Sequence, residues 1–199
     1  MSAKPWDARL AHRLVRPFKD SWVTPNYFTT LRLIVGLASC VAFASGRWPN
    51  LGSVLFALSN FLDHTDGELA RLSNKTTPFG HLYDLASDAL IHILLFVSIG
   101  IGLWNMGSGV WTIPAGILAG LAVAAIFQLR HEIEERLGKM ASRQPNFAGF
   151  EAEDVLYLLL LVTLAEALEP FLIAAAVGAP IATVLVGAQY LYMRRNSKI

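Results

Sequence analysis

Long apolar runs separated by short polar breaks dominate the chain. Six runs, about 27–45, 51–72, 79–103, 111–130, 153–168 and 171–193, approach or reach the roughly 17 to 25 residues a helix needs to cross a bilayer. The fifth is the shortest and carries Glu166 near its end. The breaks hold turn or polar chemistry: Gly46 to Asn50, Ser73 to Pro78, Trp104 to Gly109, the 131–152 stretch and Glu169-Pro170. Ahead of the first run, residues 4–20 are too polar to span. There Trp6, Leu10, Leu14 and Phe18 recur every fourth position, with Ala11 and Val15 beside them. Lys4, Arg9, Arg13, Arg16 and Lys19 fill the other side. That pattern predicts an amphipathic helix lying on an anionic membrane surface, and the missing apolar core argues against a secretory signal. The expected fold is an all-α membrane protein, one domain over 1–199, with six transmembrane helices preceded by an interfacial helix.

Composition agrees. Of 199 residues 54% are hydrophobic and only 16% charged, against about 25% charged in soluble domains. The single Cys40 rules out an intrachain disulfide. A net charge of +1 says little, but its distribution orients the chain. With the N-terminus in the cytoplasm, six spans return the C-terminus there. Of sixteen basic residues only Arg47 then lies on the far side, as the positive-inside rule requires. The expectation is a multi-pass protein of the cell (inner) membrane, with the lipid bilayer as its setting and no nucleic-acid partner.

Four aspartates interrupt this apolar chain: Asp63, Asp66, Asp84 and Asp88. An Asp at the membrane centre costs about 2.5 to 3.5 kcal/mol on insertion scales, so carboxylates there mark an ion path, a proton path or a metal site. On a helix, Asp63, Asp66, Gly67 and Ala70 fall at i, i+3, i+4 and i+7, on one face. Asp84 and Asp88 are i, i+4 on the next helix, with Gly80 one turn before. A short connection makes the two helices antiparallel neighbours, so four carboxylates converge near the cytoplasmic surface. Left alone they repel, and one or two divalent cations resolve the conflict. Oxygen ligands without a soft cluster suit Mg²⁺, Mn²⁺ or Ca²⁺. Gly67 and Ala70 lack bulk on that face, which lets a helix or a ligand approach the backbone. Arg71 is suited to phosphate oxygens. Carboxylates, metal and Arg together suggest phosphoryl transfer. The plainer readings are a structural ion site or cation pathway for the aspartates, helix packing for Gly67 and Ala70, and a topology signal for Arg71. His92, four residues after Asp88, could orient that carboxylate, though a satisfied bundle histidine is the simpler account. His64 and His81 read as interfacial.

These residues resemble the signature of the CDP-alcohol phosphotransferase family, D-x2-D-G-x2-A-R-x8-G-x3-D-x3-D. Asp63, Asp66, Gly67, Ala70, Arg71, Gly80, Asp84 and Asp88 keep every spacing. At average residue usage, eight such positions coincide by chance roughly once in 10¹⁰. Pro25, Asn26, Thr29 and Arg32 also resemble the P-N-x-x-T-x-x-R opening of the first span in many members. The resemblance implies six membrane helices, a cytoplasmic active site and often a homodimer. It implies a CDP-linked alcohol as donor, commonly CDP-diacylglycerol, a small hydroxyl acceptor, and release of CMP. Asp63, Asp66, Asp84 and Asp88 would hold two Mg²⁺ or Mn²⁺ ions, with Asp88 on the second and also general base toward the acceptor hydroxyl. Gly67 and Ala70 would make room for the nucleotide, and Arg71 would contact donor phosphates. Asn26 to Thr29 and Thr77 would line the donor pocket.

The acceptor side is thinner. Arg130, Lys139 and Arg143 could meet a phosphorylated acceptor, as basic residues do in some members, or could simply anchor the cytoplasmic side. Glu151, Glu153 and Asp154 could cap the fifth span or bind a head group. Two other functions compete. An aromatic prenyltransferase also uses Asp-rich helices and metal, but usually shows two well-separated Asp-rich segments and more spans. A cation transporter lacks a reason for D-G-x-x-A-R.

Overall fold

The computed structural model describes residues 6–73, 75–137 and 158–196. These form seven α-helices and no strand: α1 Trp6–Val15, α2 Pro25–Ala44, α3 Pro49–Ser73, α4 Pro78–Asn105, α5 Thr112–Leu137, α6 Leu159–Leu164 and α7 Leu168–Asn196. Proline opens α2, α3 and α4. Its missing N–H costs nothing in a first turn, and its fixed φ suits the helix. At α4 the cap is explicit: Thr77 is extended, and its Oγ1 accepts a hydrogen bond from the Gly80 N–H at 2.9 Å.

Helix register follows from the contacts. Ser39 Oγ donates to the Gly52 carbonyl at 2.7 Å, and Ser59 Oγ to the Arg32 carbonyl at 2.9 Å, so α2 and α3 run antiparallel. α2 and α4 run parallel, and α5 returns antiparallel along α4 with α7 against it. The α4–α5 approach is close enough that a Cβ on Gly116 would lie 2.3 Å from the Phe96 carbonyl oxygen, so only glycine fits. The core gathers on α4: Ile91, Leu95, Phe96, Ile99 and Leu103 pack with Phe43, Phe56 and Leu172. Half of the apolar window of α4 is buried, against 6% of that of α7. α4 is the axis of the bundle, and α7 presents Val177, Ile181, Val184 and Leu185 outward.

Four helices are long and apolar enough to cross a membrane: α2, α4, α5 over Thr112–Ile133 and α7 over Leu168–Arg195. These describe an integral membrane protein. The expected second span is present as α3, 25 residues long, but is not among the four. Its last turns carry Asp63, His64, Asp66, Glu68 and Arg71, which lower its hydropathy. Only part of the expected fifth span is described, the six-residue α6. The break after it also moves. It lies at Glu166, where φ is 54°, and not at Glu169-Pro170, which form the first turn of α7. Glu169 accepts a hydrogen bond there from Ser108 Oγ at 2.8 Å, tying α7 to the α4–α5 turn. α5 runs to Leu137, beyond the expected end at 130. Glu132–Arg136 and His131–Glu135, both i, i+4 pairs, support the extra turns.

α1 takes up Trp6–Val15 of the expected 4–20 stretch, and a single 3-10 turn, Arg16–Phe18, follows it. Ala11 and Val15 are fully buried, α1 packs on α3, and Leu10 and Leu14 stay about half exposed beside Arg13 and Arg16.

Candidate active site

The register of α2 against α3 and α4 brings one end of all three helices together. Thr29 and Arg32 on α2 then face Asp63 and Asp66 on α3 and Asp84 and Asp88 on α4. Carboxylate oxygens of Asp63, Asp66 and Asp84 all lie within 4.8 Å of one another. Asp66 is buried, and its Oδ2 accepts from the Thr29 hydroxyl at 2.8 Å. Asp88 lies one turn deeper than Asp84, outside that triplet. Its Oδ1 is 3.4 Å from His92 Nδ1.

Arg32 sits among these acids with only 3% of its surface exposed. Nη1 donates to Asp63 Oδ1 and stands 3.6 Å from Asp88 Oδ1. Nη2 donates to the Asp84 carbonyl oxygen at 2.9 Å and lies 3.1 Å from Asp84 Oδ1. One guanidinium among four carboxylates leaves a local excess of negative charge, and its attraction for cations grows as water is excluded. Asp84 Oδ1 is buried and accepts no well-formed hydrogen bond. An all-oxygen triplet carrying more negative charge than the single Arg32 offsets fits a hard divalent ion such as Mg²⁺ or Mn²⁺. Asp63, Asp66 and Asp84 would hold it.

Beside the carboxylates opens a small cleft, open to the surroundings on one side. Asn26, Thr29, Gly67, Ala70 and Thr77 all line it, together with Asp66 and Asp84. Its glycines differ in kind. A Cβ on Gly80 would meet Asn26 Oδ1 at 2.8 Å and Thr77 Oγ1 at 3.0 Å, so Gly80 lets the starts of α2 and α4 touch. A Cβ on Gly67 would meet only the Arg71 guanidinium, no nearer than 3.6 Å. Among the described residues, no atom of another helix is among the three nearest to such a Cβ, in contrast to Gly80. Arg71 reaches over Gly67 from the rim and pairs with Glu68 Oε1 at 3.3 Å.

Arg130 lies on α5, while Lys139, Arg143, Glu151, Glu153 and Asp154 fall outside the described residues. His92 behaves as a bundle histidine: its Nδ1 lies 2.8 Å from the Asp88 carbonyl oxygen, and its ring packs on Phe56 and Phe127.

Three participants escaped the sequence reading as site residues. Arg32 entered it only as part of a pattern, although an Arg inside an apolar span is itself a functional signal. Glu68 is buried between His12 of α1, at 3.6 Å, and Arg71. No one-dimensional signal separates it from a surface glutamate. Lys75 lines the cleft and donates from Nζ to the carbonyls of Ser21 and, at 3.3 Å, Val23. It ties the α3–α4 loop to the approach to α2.

Sequence comparison points the same way. Among curated proteins, the chain is 36% identical over 78 residues to a bifunctional IPC transferase and DIPP synthase of Aquifex aeolicus. That stretch covers 39% of this chain and 18% of the relative, so the chain spans far less than that relative's length. It is 27% identical over 133 residues to an archaetidylinositol phosphate synthase of Methanothermobacter thermautotrophicus, covering 66% of this chain and 68% of the other. It is 36% identical over 69 residues to a CDP-diacylglycerol–glycerol-3-phosphate 3-phosphatidyltransferase of Rickettsia felis, covering 34% and 38%. A family model described as CDP-alcohol phosphatidyltransferase matches residues 22–191. That match takes in α2 through nearly all of α7, and the chain belongs to the CDP-alcohol phosphatidyltransferase family.

Proposed function

We propose that this protein transfers a phosphatidyl group from a CDP-alcohol, CDP-diacylglycerol in the first instance, to a small hydroxyl acceptor, releasing CMP. The observation that carries this reading is the room over Gly67 in a cleft lined by Asp66 and Asp84 together with Asn26, Thr29 and Thr77. It puts space for a polar group beside a carboxylate cluster. Family membership supplies the reaction class.

Divalent ions bound by Asp63, Asp66 and Asp84, with Asp88 on a second ion, would neutralise the pyrophosphate and ease departure of CMP. The chain's own groups do the rest. Asn26, Thr29 and Thr77 hold the nucleotide end, and Arg71 contacts the donor phosphates from the rim. Arg32 fixes Asp63 and Asp84 at their separation. Asp88 takes the proton from the acceptor hydroxyl. The acceptor oxygen bonds to the phosphorus that carries the donor alcohol. The bond from that phosphorus to the bridging oxygen breaks, and CMP leaves with the electron pair. A base must first be within reach of its proton, and Asp88, one turn beyond Asp84, stands past the carboxylate triplet.

The acceptor reading rests on names and charge. The Rickettsia felis relative is named for glycerol 3-phosphate, and a Helicobacter pylori relative for serine. Arg130, Lys139 and Arg143 favour a phosphorylated alcohol. We place the site at the cytoplasmic face of the cell membrane, with six spans and α1 as an interfacial helix. The basic residues and the exposed Leu10 and Leu14 of α1 support that placement.

The test is CMP release by the purified protein with Mg²⁺ or Mn²⁺, CDP-diacylglycerol and a panel of alcohols. Asp88→Asn should abolish turnover while keeping donor binding, and undiminished turnover would refute its role as base. No CMP with any acceptor, together with ion flux in proteoliposomes, would favour a transporter.

A further inference from the structure

A second cluster of metal-ligating side chains adjoins the carboxylate triplet, one helical turn before Asp84. His81 lies in the first turn of α4, and His131 and Glu135 lie one turn apart near the end of α5. One ligand atom from each lies within 4.8 Å of the others. His81 Nε2 is 3.4 Å and His131 Nε2 3.3 Å from the same atom, Glu135 Oε1. These distances exceed those of good N–H···O hydrogen bonds. They match the edge of a zinc tetrahedron, since bonds of about 2.0 to 2.1 Å place neighbouring ligand atoms about 3.3 Å apart. The imidazole rings are held near each other, with centroids 5.2 Å apart. His131 Nε2 is buried and has no well-formed hydrogen bond.

We propose that His81, His131 and Glu135 form a binding site for a first-row transition ion of the Zn²⁺ class, joining α4 to α5 beside the cleft. Two imidazole nitrogens and one carboxylate are the ligands of a borderline-soft ion, whereas Asp63, Asp66 and Asp84 offer only hard oxygen. The two sites therefore select different metals within one helix bundle. His81 also lines the cleft, so an occupied site would brace its wall. The inference does not depend on the transferase reading, because it concerns metal binding alone.

Cobalt(II) is the probe, as a spectroscopic substitute for zinc. The full-length protein in detergent is titrated with Co²⁺ in excess Mg²⁺, which occupies the oxygen site. One equivalent should produce visible ligand-field bands, and Zn²⁺ should displace them. His131→Ala and Glu135→Ala should each lose the bands, while Asp63→Asn keeps them. His131→Cys should bind again and add a thiolate-to-cobalt charge-transfer band, which a misfolded chain would not show. Wild-type protein without the bands, bands that survive His131→Ala, or bands lost only with Asp63→Asn would each overturn the proposal.

Discussion

At the scale of single residues, Arg32 and Gly67 carry the most. Arg32 is buried among three aspartates, and removing one partner of such a network commonly costs about 3 to 5 kcal/mol because the other charges are left uncompensated. Asp63, Asp84 and Asp88 remain partly exposed, so the cost at this site falls toward the lower end. Arg32→Ala should lower the thermal midpoint and turnover together. Added Mg²⁺ should raise the midpoint more in the variant than in the wild type, because an ion can replace the missing positive charge. Equal Mg²⁺ shifts would show that Arg32 and the ion do not share carboxylates. Gly67 leads to the opposite kind of prediction. Alanine in a helix is favoured over glycine by roughly 0.5 to 1 kcal/mol, and a Cβ there has room. Gly67→Ala should leave stability equal or higher while raising the donor KM, read from thermal melts and CMP-release kinetics. A fall in stability with unchanged KM would return Gly67 to a structural role.

The motif spacing was legible because it lies on single helices, where the period relates residues three or four apart without tertiary information. Asp63 to Ala70 and Asp84 to Asp88 therefore land on their faces as expected. Arg32, Glu68 and the His81–His131–Glu135 cluster were not legible as sites. Each depends on at least one partner across a helix interface, some fifty residues away in sequence.

At the scale of elements, helix ends decide where the site sits. Thr77 both caps α4 and lines the cleft. Loss of a threonine cap typically costs about 1 kcal/mol. Thr77→Ala should lower stability by that amount and weaken donor binding, whereas Thr77→Ser should keep both. Melting curves and donor titrations on the two variants check this, and a serine variant as weak as alanine would count against the cap. Helix ends were also where the sequence reading erred. It broke the chain at Glu169-Pro170, yet proline in a first turn starts a helix as readily as it ends one. The expected span 111–130, by contrast, coincides with the apolar part of α5, Thr112–Ile133, and i, i+4 pairs carry the helix on to Leu137.

At the scale of the whole molecule, the polar end of a mostly apolar bundle holds the candidate site. α2, α3 and α4 each bring their charged turns to the same end, and the apolar outer faces of α7 are left for the surroundings. In a Cys40→Ala background, Arg47→Cys should label only from outside the cell with a membrane-impermeant thiol reagent. Arg195→Cys should label only after the membrane is opened. The reverse pattern would invert the proposed orientation. Chelation of divalent ions should stop CMP release, and Mg²⁺ or Mn²⁺ should restore it.

By itself, the sequence determined the helical class, the apolar runs, the bias of basic residues and the two carboxylate pairs. Each follows from hydropathy or helical period, which are local properties of a chain. Only the tertiary structure decided that three aspartates gather while Asp88 stands apart, and that Arg32 lies among them. It alone decided that there is room over Gly67 and that two histidines from different helices meet one glutamate. Those facts depend on how helices pack against one another, and packing is set by side-chain contacts between residues far apart in sequence.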